Sequence, residues 1–183
     1  MAQPAAAEQQ PEEEKKEAAP VVNPMPQTMR EQFLYAKALK EEGNNFYRNG
    51  DHASAIKKYS RVRAFLRQMI PAKDQDNAQF MDMITKGGGE DKLTKAETKE
   101  AVQIQASTFL NLSICYFHTQ DYRKSIDRAT ESLDLQKSIK AHYRRAKALS
   151  MIKDYWGAVK DMKAAIAMDK TDPNNFAAEM AQF

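Results

Sequence analysis

Two lysines, two asparagines and one arginine draw attention first in this 183-residue chain, because their types and spacing can build a receptor for carboxylates. They fall in three short stretches: KEEGN with Lys40 and Asn44, FLNLS around Asn111, and KAHYR with Lys140 and Arg144. Lysine supplies three rotatable donors, arginine a rigid fork, and asparagine a donor that can also accept a peptide amide. A carboxylate bound there must exchange water for fixed donors of this kind. Charge-assisted bonds of that type contribute about 1.5 to 3 kcal/mol each when partly desolvated.

The five residues cooperate only if helices bring them to one face. Gly43, Ser113 and Ala146 set a common register; with each as position 8 of a repeat, the polar residues occupy positions 5 and 9, 6, and 2 and 6. Those positions are three or four apart and form a single stripe on a helix of 3.6 residues per turn. Eight residues after each small residue stands an aspartate, Asp51, Asp121 or Asp154, expected as the N-cap of a second helix. Four residues beyond each cap come Ala55, Ser125 and Ala158, small enough for close helix approach, followed by Ile56, Ile126 and Val159. Apolar residues continue at helical spacing: Tyr59, Val62 and Leu66; Ala129 and Leu133; Met162, Ala165 and Ile166. Each unit is therefore predicted to be a helical hairpin.

Hairpins of about 34 residues with this pattern resemble the tetratricopeptide repeat (TPR). Gly43, Phe46, Ala55 and Tyr59 carry the likeness in the first unit, Ser113 and Tyr116 in the second, and Ala146, Ala158 and Ala165 in the third. Val62 and Ser132 replace the consensus alanine at position 27, and no unit has a tryptophan at position 4. The resemblance implies an all-α, right-handed superhelix of three hairpins. Repeat three follows repeat two by 33 residues, but repeat two follows repeat one by 70, so an insertion of about one repeat is expected.

Within that gap the second helix can run through Phe65, Leu66, Met69 and Ile70 until Pro71 interrupts it. The glycines of Lys86-Gly-Gly-Gly-Glu-Asp-Lys92 oppose a helix, and Met81, Met83 and Ile84 could pack back on the domain. Thr94 and Glu97 have capping-box spacing, which predicts a long helix from there to about Phe117. Long helices flanking such an insertion resemble the chaperone-binding domains of large immunophilins and related small TPR-only proteins. The expected layout is a tail at 1–26, then a TPR domain at 27–183. Within it, repeat 1 covers about 36–70, an insertion 71–93, repeat 2 94–137, repeat 3 139–172 and a capping segment 173–183.

The five polar residues resemble the two-carboxylate clamp of TPR co-chaperones, which bind the C-terminal Glu-Glu-Val-Asp of the cytosolic heat-shock proteins 90 and 70. The resemblance covers about residues 36–170. Lys40 and Asn44 correspond to the first-repeat pair, Asn111 to the second, and Lys140 and Arg144 to the third. At a fixed register the joint chance of all five matches is on the order of one in a hundred thousand to one in a million. Many members carry a further lysine seven residues after the second-repeat asparagine, where this chain has His118. Arg48, at the same position of the first repeat, could replace that charge. Lys147 is a further candidate contact, and Ile114 or Tyr47 could floor a pocket for the peptide's valine. The runner-up reading keeps the module as an assembly scaffold for some other acidic C-terminus.

Composition limits the remaining possibilities. The first 26 residues hold five prolines and five glutamates against two lysines, a charge of −3, and too little apolar surface to fold. The other 157 residues carry +6 and suffice for one helical core. No apolar run approaches the ~18 residues of a membrane span. Cys115 is the only cysteine, which excludes an intrachain disulfide and fits a reducing cytoplasmic or nuclear setting. It is expected as a packing residue. His52, His118 and His142 lie on different predicted helices without clustered acids, so neither a metal nor another cofactor is expected. Gly87-Gly88-Gly89-Glu90 lacks the Gly-Lys-Ser/Thr of a phosphate loop, and no nucleophile elbow or metalloprotease helix is present. No isomerase domain is expected upstream, so the chain is read as a monomeric adaptor without enzymatic activity. Basic residues alternate with acids and few aromatics are available to stack bases, which argues against a nucleic-acid partner.

Overall fold

The computed structural model describes residues 25–70 and 92–168, with 79 and 178 as single further positions. The expected tail, most of the insertion with Met81, Met83 and Ile84, and the capping segment lie outside the described residues. Six α-helices are bounded among the described residues: α1 Met29–Arg48, α2 His52–Leu66, α3 Lys95–His118, α4 Tyr122–Leu135, α5 Ile139–Met151 and α6 Tyr155–Met168. A 3-10 turn, Arg67–Met69, extends α2. No strand occurs among the described residues, and no helix there is long and apolar enough to cross a membrane. The helices pair as α1–α2, α3–α4 and α5–α6, and each hairpin packs on the next to form an all-α TPR superhelix. Contacts α1–α3 and α3–α5 set the three first helices side by side.

Local sequence explains the helix starts. Thr94 accepts from the Glu97 amide while Glu97 reaches back to the Thr94 amide at 2.8 Å, the reciprocal capping box expected from their spacing. Thr28 and Glu31 do the same for α1. Asp51 caps α2 through the Ser54 amide at 2.9 Å, Asp121 caps α4 through Lys124 at 3.2 Å, and Asp154 caps α6 through Gly157 at 2.9 Å. The residue before each aspartate has a positive φ: Gly50 at 78°, Gln120 at 62° and Lys153 at 65°. That left-handed residue lets Asp51, Asp121 and Asp154 return their amides to the carbonyls of Phe46, Tyr116 and Leu149. The turn therefore repeats in all three units, although only the first uses glycine, the residue with least steric cost there.

Three apolar clusters join the layers. Phe33, Leu39, Val62, Leu66, Met69, Leu93 and Ile104 fill the first, between the long N-terminal halves of α1 and α3. Arg30 to Glu97 at 3.3 Å and Lys37 to Glu100 at 2.7 Å bridge the same two helices outside it. Tyr59, Phe109, Leu112 and Cys115 form the second cluster; Ala146, Ala158, Met162 and Ala165 form the third. Each large apolar side chain fully buried here contributes about 1.5 to 3 kcal/mol. Cys115 is buried, and burial pushes its thiol up to about 12, so it packs as expected. Asp161, only 4% exposed, accepts both Arg145 Nε at 2.6 Å and Arg145 Nη2 at 2.7 Å and contacts His142 Nδ1 at 2.9 Å. Arg145 also donates to Thr130 at 3.1 Å, so a part-buried polar cluster around Asp161 fastens α5 to α4 and α6.

Candidate carboxylate-binding site

α1, α3 and α5 carry the predicted site residues. Asn44 and Asn111, 67 residues apart, meet directly: Asn111 Nδ2 donates to Asn44 Oδ1 at 3.1 Å. Tyr59 completes the junction from α2. Its hydroxyl donates to Asn44 Oδ1 at 2.7 Å and accepts from Asn111 Nδ2 at 3.3 Å. Its ring is 1% exposed and lies on Gly43, where an added Cβ would stand 2.7 Å from Tyr59 Cε1. The small residue at position 8 thus makes room for the tyrosine. Burial raises the Tyr59 phenol to about 12 and keeps it protonated as a donor.

Lys40 lies half-buried one turn before Asn44; burial lowers its pKa, while Glu41 and Glu100 oppose the shift. Arg144 Nη1 donates to the Leu110 carbonyl at 2.6 Å, pinning the guanidinium beside Asn111. Burial lowers the Arg144 pKa, and the nearby groups that oppose this are Tyr47, Cys115 and Tyr59. A cation already partly stripped of water gains more from an incoming carboxylate than one in bulk solvent.

Lys140, Arg144 and Lys147 rim a cavity of about 530 Å³ with His118, and Ile114, Phe117, Ile139 and Tyr143 form its apolar surface. Five of the ten predicted residues therefore line one cavity. Lys40, Asn44 and Asn111 stand outside its lining, on the α1–α3 side. Arg48 is exposed at the end of α1. Tyr47 lies beside the cavity with its ring centroid 6.2 Å from that of His118.

The three histidines lie on different helices as expected, yet two of them meet: His52 and His118 stack with centroids 4.5 Å apart and planes 7° from parallel, and Tyr47 is 5.5 Å from His52. They converge because α2 of one hairpin packs on α3 of the next, a relation no local spacing reports. Desolvation, then His52 and Arg144, lower the His118 pKa from 6.5. Sequence reasoning also missed the hydroxyl of Tyr59, assigned only to packing, and the apolar lining by Phe117, Ile139 and Tyr143. An aromatic at each of 117 and 143, beside the predicted contacts, was the available signal.

No family model matches the sequence. Solved structures establish the fold. The C-terminal TPR-containing domain of a Plasmodium falciparum protein assigned to the FK506-binding proteins is similar at TM-score 0.63 and 24% identity, covering 85% of this chain and 90% of that one. The first TPR of Spaghetti (RPAP3), bound to the HSP90 peptide SRMEEVD, matches at TM-score 0.59 and 15% identity over 81% of this chain and 90% of that one. The second TPR domain of human RPAP3, in complex with the HSP70 peptide SGPTIEEVD, matches at 0.58 and 18% over 82% and 96%. The chain has the TPR fold.

Proposed function

We propose that this protein is an adaptor of the co-chaperone type, whose groove binds the C-terminal Glu-Glu-Val-Asp of heat-shock proteins 90 or 70. The observation that carries the reading is the meeting of Asn44 and Asn111 at 3.1 Å, with Arg144 fixed to the neighbouring Leu110 carbonyl at 2.6 Å. Asn44, Asn111 and Arg144 belong to three different hairpins, and these two bonds support their acting together. Lys140 and Lys147 add positive charge on the α5 side, and Lys40 adds it on the α1 side. Two of the similar folds hold peptides ending in the same four residues. Three or four charge-assisted bonds of about 1.5 to 3 kcal/mol each, set against the cost of ordering an extended peptide, are compatible with micromolar binding.

Calorimetry with a peptide ending in Glu-Glu-Val-Asp tests this. A Kd of about 1 to 50 micromolar is expected. Amidating the peptide C-terminus removes one anion and should cost about 2 kcal/mol. Equal binding of acid and amide forms would remove the carboxylate clamp. Binding of other acidic C-termini in preference to this one would favour the scaffold reading.

A further inference from the structure

We infer that Tyr59 is a positioning residue of the clamp: its buried hydroxyl fixes the side-chain amide of Asn44 so that the nitrogen, and not the oxygen, faces an incoming carboxylate. The inference rests on the carboxylate-clamp reading of the groove. An asparagine amide has a donor end and an acceptor end of nearly equal shape, and only the donor end can hold an anion. The choice between them must come from the other partners. Asn44 Oδ1 accepts two bonds, from Tyr59 Oη at 2.7 Å and from Asn111 Nδ2 at 3.1 Å. Its Nδ2 consequently points the other way, where it donates to the exposed carboxylate of Glu41 at 3.2 Å. The nitrogen aimed outward thus already binds a carboxylate of this chain.

The device belongs to the first repeat alone. At the register of Tyr59 the second and third repeats have Ala129 and Met162, neither of which has a hydroxyl. The ring reaches Asn44 only because Gly43 leaves space for it, since a Cβ there would meet Tyr59 Cε1 and Cδ1 at 2.7 and 2.8 Å. Burial keeps the phenol protonated, so the donor persists throughout the physiological pH range. Tyr59 does not touch the ligand; it acts through Asn44.

The test is a double-mutant cycle between Tyr59→Phe and Asn44→Ala, read by affinity for the Glu-Glu-Val-Asp peptide and by the Asn44 side-chain amide resonances without peptide. Those resonances are identified by their disappearance in Asn44→Ala. Tyr59→Phe keeps the ring, so helicity and cooperative unfolding should remain. Affinity should fall about three- to tenfold in the otherwise wild-type protein. In the Asn44→Ala background the same change should alter it by less than about twofold. An equal loss in both backgrounds, or no loss in either, overturns the proposal and leaves Tyr59 a packing residue. If the wild-type protein does not bind the peptide, the clamp reading fails by itself and the resonances decide the positioning role. Asn44 amide signals that shift in Tyr59→Phe keep it; unshifted signals overturn it.

Discussion

The two sides of the groove use different physics. On the α1–α3 side, where Lys40 is the one predicted cation of the clamp, the neutral Asn44, Asn111 and Tyr59 are bonded to one another, so their donors have fixed directions. On the α3–α5 side, Lys140, Arg144 and Lys147 rim a cavity whose lining is largely apolar, with Ile114, Phe117, Ile139 and Tyr143. A fixed neutral donor gives direction at short range, whereas a partly desolvated cation gives attraction at longer range. Under the proposed function, the amide side would orient a chain end and the cationic side would hold it.

The sharpest way to break this contrast is Arg144→Ala. The substitution removes a desolvated cation and the side-chain donor to the Leu110 carbonyl, and should weaken peptide binding at least tenfold. Helicity should be retained, because the third core cluster is built from Ala146, Ala158, Met162 and Ala165 and does not include Arg144. Loss of folding by circular dichroism would place the residue in the core instead of the groove.

A smaller effect separates the sides by salt. Asn111→Ala should cost about 1 kcal/mol and leave the dependence of affinity on salt parallel to wild type, since no charge is removed. Lys140→Ala should flatten that dependence. The measurement is calorimetry of both variants at three salt concentrations, and identical slopes would erase the distinction.

The smallest effect concerns His118, at the boundary between the two sides. In the protein alone its pKa lies below 6.5, held there by burial, His52 and Arg144. Carboxylates of a bound peptide favour the imidazolium and raise it, so binding takes up a proton. Affinity should therefore increase as pH falls from 8 towards 5.5, while the peptide acids remain mostly ionised. The gain is about 1 kcal/mol at most for an exposed group. It should vanish in His118→Lys, which is charged throughout. The neighbouring Tyr47, His52, Lys140, Tyr143, Arg144 and Lys147 are common to both proteins, so the difference isolates residue 118. A flat profile for the histidine form would place it outside the site.

How much of this was legible in the sequence follows from the range over which each feature is encoded. Asp51, Asp121 and Asp154 announced helix starts because a cap bonds to an amide three residues away. Thr94 and Glu97 likewise announced the long α3. The polar stripe was legible because positions three and four apart share a helix face whatever lies next to it. Helix periodicity says nothing, however, about which residue of the neighbouring helix arrives opposite. The stacking of His52 on His118, the bond from Arg144 to Leu110 and the reach of Tyr59 to Asn44 all cross between helices. Those pairings depend on the crossing angle and offset of packed hairpins, which are set by how core side chains such as Phe109, Leu112 and Met162 fit together. The chain's sequence by itself determined the hairpins and the side chains offered to the groove; tertiary packing alone decided which of them touch, because contact across helices depends on geometry that no local spacing contains.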